Sequence, residues 1–144
     1  MERTIFPEDR VSPNHPLRGY VKKKMRELTI TVPGLPPKEW SPNARTHWAP
    51  KAKVAVEAHS DVMALVKEQG WSGDPMDAAR ISVSWGVKDK RRRDTDNFVG
   101  RTKPFIDGLV LAKVLVDDSR YNVSYEFQWH KAEQNETVIT VKEQ

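Results

Sequence analysis

The apolar residues of this chain recur with two periods, and the order in which those periods alternate restricts the fold more than any other feature. Glu27 to Val32 (Glu-Leu-Thr-Ile-Thr-Val) alternates apolar and polar residues and is β-rich, which predicts a first strand. Lys51 to Gln69 places Val54, Ala58, Val62, Leu65 and Val66 at helical spacing, with Pro50 before it and Gly70 after it. That pattern predicts an amphipathic helix with a buried stripe. Arg80 to Val87 alternates again and predicts a second strand. Phe105 to Ala112 returns to helical spacing, with Phe105, Leu109 and Ala112 facing inward. The regular part of that helix is expected to begin near Thr102, with 97–101 unassigned. Val123 to Trp129 and Thr137 to Val141 both alternate around a turn at Glu133-Gln134-Asn135, which predicts a hairpin. The order β-α-β-α-β-β predicts one small α/β (α+β) domain, a mixed sheet packed by two helices.

The chain has 144 residues, of which 38% are hydrophobic, enough for a single core and too few for two comfortable domains. It lacks cysteine, which excludes a disulfide framework, a cysteine nucleophile and a thiolate zinc site. No apolar run approaches the ~20 residues that span a bilayer, and the N-terminus has no secretory apolar stretch. A soluble cytoplasmic protein is expected. Residues 1–26 hold seven basic and three acidic residues and so carry the whole net charge of +4. Their prolines and scattered charge suggest a basic, flexible N-terminal tail, or a basic arm that touches DNA, ahead of a domain at 27–144. The charges of that domain balance, so any nucleic-acid contact must come from a local cluster.

The densest cluster is Lys88 to Arg93, and it leads into Asp94-Thr95-Asp96-Asn97. A second acidic pair, Asp117-Asp118, follows the second helix. Carboxylates suit Mg²⁺, which takes oxygen ligands, and adjacent Lys and Arg suit a phosphate backbone. Together they point to metal-assisted phosphodiester hydrolysis. The bland reading of Asp-Thr-Asp-Asn is an Asx-turn and helix cap, and that of Asp117-Asp118 a solvated turn. Lys103 and Asp107 share a helix face, either as a surface ion pair or with Lys103 at the mouth of the acidic site, where it steadies a phosphate. Ser41 to Trp48 is irregular and rich in donors, and Asn43 and Arg45 are weaker candidates for backbone contact. Trp40 and Trp48 flank it and are expected to pack on the first helix. His59 is expected on a helix surface. The four histidines lack zinc spacing.

The combination Arg93-Asp94-Thr95-Asp96-Asn97, Lys103-Pro104-Phe105-Ile106-Asp107-Gly108-Leu109 and Val116-Asp117-Asp118-Ser119 resembles the core of the RusA-type Holliday junction resolvases. Ser41-Pro42-Asn43-Ala44-Arg45 resembles their phage-type members. The resemblance spans roughly residues 27–142. It implies a RusA-like fold and a homodimeric, Mg²⁺-dependent endonuclease, with Mn²⁺ as a substitute, that resolves four-way DNA junctions by paired symmetric cleavage. The setting it implies is a bacterial or phage-infected cell, near the nucleoid. Asp94, Asp96 and Asp118 correspond to the metal-binding carboxylates, with Asp117 as a helper, and Lys103 to the essential lysine. Lys88, Lys90, Arg91, Arg92 and Arg93 would grip DNA. A two-fold dimer fits two symmetric nicks. Two departures stand out. Lys103 lies three residues further on than in the best-known form, which on a continuous helix turns it by about 60°. Lys113 stands where the family has glycine. A non-catalytic branched-DNA-binding module of the same fold is the alternative, and a metal-dependent phosphatase or nucleotide hydrolase a weaker third.

Overall fold

The alternating segments form a single two-faced sheet, because each presents its apolar residues to one side. The computed structural model describes residues 25–45, 47–119 and 121–144. In chain order the elements are β1 (Glu27–Pro33), a 3-10 turn (Lys38–Trp40), α1 (Trp48–Glu68), β2 (Ala79–Val87), α2 (Thr95–Arg101), α3 (Lys103–Leu111), β3 (Val123–Lys131) and β4 (Glu136–Glu143). The fold is α+β with a mixed four-stranded sheet in the order β1-β4-β2-β3. β4 runs antiparallel to both β1 and β2, and β3 runs parallel to β2.

The inner face is Leu28, Ile30 and Val32 of β1, Ala79, Ile81, Val83 and Trp85 of β2, and Ile139 and Val141 of β4, all buried. α1 packs on β1 and α3, adding Ala58, Val62, Val66, Phe105, Ile106 and Leu109 to the same core. Each such large side chain contributes about 1.5–3 kcal/mol. Within the predicted stripe Val54 and Leu65 are only half buried, and Ala55 is buried in their place. Gly108 lets α1 and α3 approach closely, since a Cβ there would lie 2.8 Å from Val62 Cβ. His59, expected on the surface, is half buried, and its Nε2 has no hydrogen-bond partner among the described residues.

Two expectations are corrected. β3 and β4 do not pair as a hairpin, because β2 lies between them. The connection from Ala132 to Asn135 therefore spans two strand spacings, about 9.5 Å. The reason is burial. All inner residues of β2 from Ala79 to Trp85 are fully buried, which suits a central strand, whereas Tyr125 of β3 is 39% exposed and suits an edge. Second, one helix was expected after β2 and two occur. Pro104 has no N–H for the Gly100 carbonyl and its ring crowds that carbonyl, so the helix breaks at Thr102, which keeps an αR conformation. α1 also begins at Trp48, three residues before the expected start.

The expected flexible tail lies, through residue 24, outside the described residues. Arg26 is tied to the last strand: its guanidinium donates to the Glu143 carboxylate at 2.8 and 3.1 Å and to the Asp74 carbonyl at 2.6 Å. Among the described residues no helix is long and apolar enough to cross a membrane.

α3 ends in a Schellman motif: Lys113 N–H donates to the Val110 carbonyl and Val114 N–H to that of Leu109, both at 3.0 Å. Lys113 takes φ 63°, a left-handed conformation that favours glycine. Lys113→Gly should therefore raise stability by about 1 kcal/mol, read as a higher urea midpoint. A lower midpoint would mean that the lysine stem contributes packing that outweighs the strain.

Candidate active site

The end of β2 releases the basic loop, and one carboxylate shapes it. Asp89 accepts the Arg91 N–H at 2.9 Å and pairs with Arg93 at 3.0 Å and Arg91 at 3.5 Å. The Arg91 backbone N–H and then the Arg93 guanidinium, both donating to it, hold the Asp89 carboxyl below the usual range. Arg93 is mostly buried and also donates to the Arg91 carbonyl, so it braces the loop. Lys88, Lys90 and Arg92 are exposed.

Asp94 occupies the N-cap of α2 in an extended conformation, yet its side chain makes no capping hydrogen bond. Asp96 lies in the first turn. Neither has an ion pair among the described residues. Asn97 accepts a hydrogen bond from Asn43 Nδ2 at 3.0 Å. Pro42 packs against Gly100, where a Cβ would lie 2.7 Å from Pro42 Cγ. The donor-rich loop is thus seated on the helix that carries the acidic pair. Arg45 is exposed at its edge. Trp40 packs as expected, donating to the Lys51 carbonyl at 3.1 Å, but Trp48 is 82% exposed, because α1 starts there and its ring has no core to enter.

Lys103 begins α3 and holds two carboxylates, Asp107 Oδ1 and Asp118 Oδ2, each at 2.7 Å. Partial burial pushes the ammonium toward neutrality. The hydrogen bonds to Asp107 and Asp118 outweigh it, so the pKa stands above that of an ordinary lysine. Asp118 reaches this point because Met76 pairs with the chain after α3, through Met76 N–H to Val114 and Val116 N–H to Met76. Asp117 turns back to accept the Ser119 N–H, the bland role read for it. Tyr125 stands beside this group; burial and then the Asp118 carboxylate raise its pKa.

Among the described residues no three carboxylate or imidazole groups converge. Asp118 is held by Lys103 and not gathered with Asp94 and Asp96. These two, unpaired and one residue apart, still match Mg²⁺ chemistry, since that ion commonly takes one or two protein carboxylates plus water and substrate phosphate. Sequence reasoning missed two residues that build the site. The buried Thr102 hydroxyl donates to the Phe98 carbonyl at 2.7 Å and accepts Trp85 Nε1 at 3.2 Å. Trp129 Nε1 donates to Thr95 Oγ1 at 3.1 Å. Neither lies in an ionisable pattern, so no chemical signal marked them.

No protein-family model matches the chain. A protein from Xylella fastidiosa (strain Temecula1 / ATCC 700964), described as an uncharacterized protein, is 32% identical over 102 residues. The match covers 69% of this chain and 64% of that relative, so the chain spans just under two thirds of its length.

Gly100→Ala should unseat the Ser41 to Arg45 loop from α2 and cost about 1–3 kcal/mol. Hydrogen exchange across residues 41–45 should quicken in step. Unchanged exchange and an unchanged urea midpoint would show that Pro42 yields freely.

Proposed function

We propose that this protein is a Mg²⁺-dependent, structure-selective DNA endonuclease of the RusA type, acting on four-way junctions as a homodimer. The observation that supports this most is the 2.7 Å contact of Lys103 with Asp118. It joins two motifs that lie apart in the sequence, and the first of them follows directly on the helix that carries Asp94 and Asp96. A basic loop precedes that helix, and the Asn43 loop sits on it.

Each group has a role in this reading. Asp94 and Asp96 supply the oxygen ligands for the ion. Bound Mg²⁺ supplies Lewis acidity toward a phosphate and lowers the pKa of water. Lys103 stays charged at neutral pH and stabilises negative charge building on the scissile phosphate. Lys88, Lys90, Arg91 and Arg92 hold the flanking backbone. Such contacts position DNA without reading its sequence.

One observation favours a second reading, a non-catalytic branched-DNA-binding module. Among the described residues Asp118 is not gathered with Asp94 and Asp96 into a three-carboxylate group. A nicking assay on a labelled four-way junction, with Mg²⁺ or EDTA and with linear duplex alongside, separates the two. Paired symmetric nicks that need Mg²⁺ and spare duplex are expected. Tight binding without cleavage under Mg²⁺ or Mn²⁺ would select the binding module.

Asp96→Asn should abolish cleavage while junction affinity holds or rises, since a repulsive charge is lost. Undiminished cleavage would remove Asp96 from the site. Lys103→Ala should cut the cleavage rate by about 100-fold or more and leave binding within a few-fold. Full activity in that variant would make Lys103 a purely structural tie between α3 and Asp118.

A further inference from the structure

We propose that the cleft between the basic loop and the end of β3 seats a single unstacked nucleotide of the DNA strand. This rests on the branched-DNA reading and names what that site would hold. The cleft encloses about 540 Å³, within the ~300–1,000 Å³ of small-molecule sites. That is room for one nucleotide and not for a duplex. Val87 and Trp129 form an apolar part of its wall. Lys88, Lys90 and Lys131 stand around it, all exposed, and none has an ion pair among the described residues. The Asp89 carboxylate also lines it but is neutralised by Arg93 and Arg91. The cleft therefore offers an apolar surface under an excess of positive charge, the combination that binds a base and its phosphates.

Two further observations give the site a direction. A second hollow of about 700 Å³, lined also by Glu133, shares Lys88 and Lys131 with the first, so these two lysines border both hollows and could hold a backbone that continues from one to the other. On the other side, Trp129 bonds to Thr95, which lies between Asp94 and Asp96. A nucleotide against Trp129 would be next to the acidic pair on the same strand. The indole N–H is already committed to Thr95 and the half-buried ring packs against Trp85 and Phe98 at 4.9 and 4.8 Å, so only the part of the ring that faces the cleft remains to meet a base. Recognition by a ring alone is indifferent to base identity. Lys131 thus joins the DNA-contacting residues, although no sequence pattern marked it.

The test is junction binding by fluorescence anisotropy in EDTA. It uses the intact protein and junctions carrying one abasic residue at each position next to the branch, with the Lys131→Ala variant alongside. One abasic position should weaken binding by about 5- to 100-fold, the range for loss of a stacked base. Lys131→Ala should weaken binding to every junction and reduce the salt slope by about one. Tight junction binding with a flat abasic scan would overturn the nucleotide site and leave the endonuclease reading intact. An unchanged affinity and salt slope in Lys131→Ala would also overturn it. Binding of oligothymidylate that depends on Lys131, without preference for junctions, would support the cleft and overturn the junction reading.

Discussion

The hydrogen bond from Trp85 Nε1 to Thr102 Oγ1 joins the sheet to the helices that carry the candidate site. Trp85 is fully buried in the central strand. Its ring meets Phe98 edge-on at 5.5 Å, stacks on Phe127 at 5.5 Å and tilts against Trp129 at 4.9 Å. A buried indole N–H without a partner would be costly. Thr102 provides that partner at the joint where Pro104 breaks the helix, and its own proton goes to the Phe98 carbonyl. One polar contact in an apolar cluster therefore sets where α2 and α3 meet β2.

The placement of the chemistry follows from this joint. α2 points its first turn, with Asp94 and Asp96, toward the end of β3, where Trp129 holds Thr95. α3 starts with Lys103 on the side where Asp118 returns. The break at Thr102 frees the lysine from the direction that an unbroken helix would impose.

Charge is arranged by the same economy of partners. Asp89 draws Arg93 inward and pairs with Arg91, which stays exposed, and this leaves Lys88, Lys90 and Lys131 as the cations of the cleft without an ion pair among the described residues. Lys103, by contrast, is shared between two carboxylates. Of the basic residues read from the sequence as one cluster, some brace the loop and others face solvent. That division depends on a single carboxylate inside the run.

The sequence by itself determined what each segment is and which side of it faces the core. Period-two alternation marked all four strands, and helical spacing with Pro50 near its start and Gly70 past its end marked α1, because these depend on neighbours a few residues away. It also marked the charged residues of the candidate site by type and spacing. Only the tertiary structure decided that β2 lies between β3 and β4, since alternation gives a strand its faces and not its neighbours. Only the tertiary structure placed Asn43 on Asn97, Lys103 on Asp118 and Trp129 on Thr95. Those contacts join residues 15 to 54 positions apart, and what brings them together is the packing of a shared core, which no local pattern encodes.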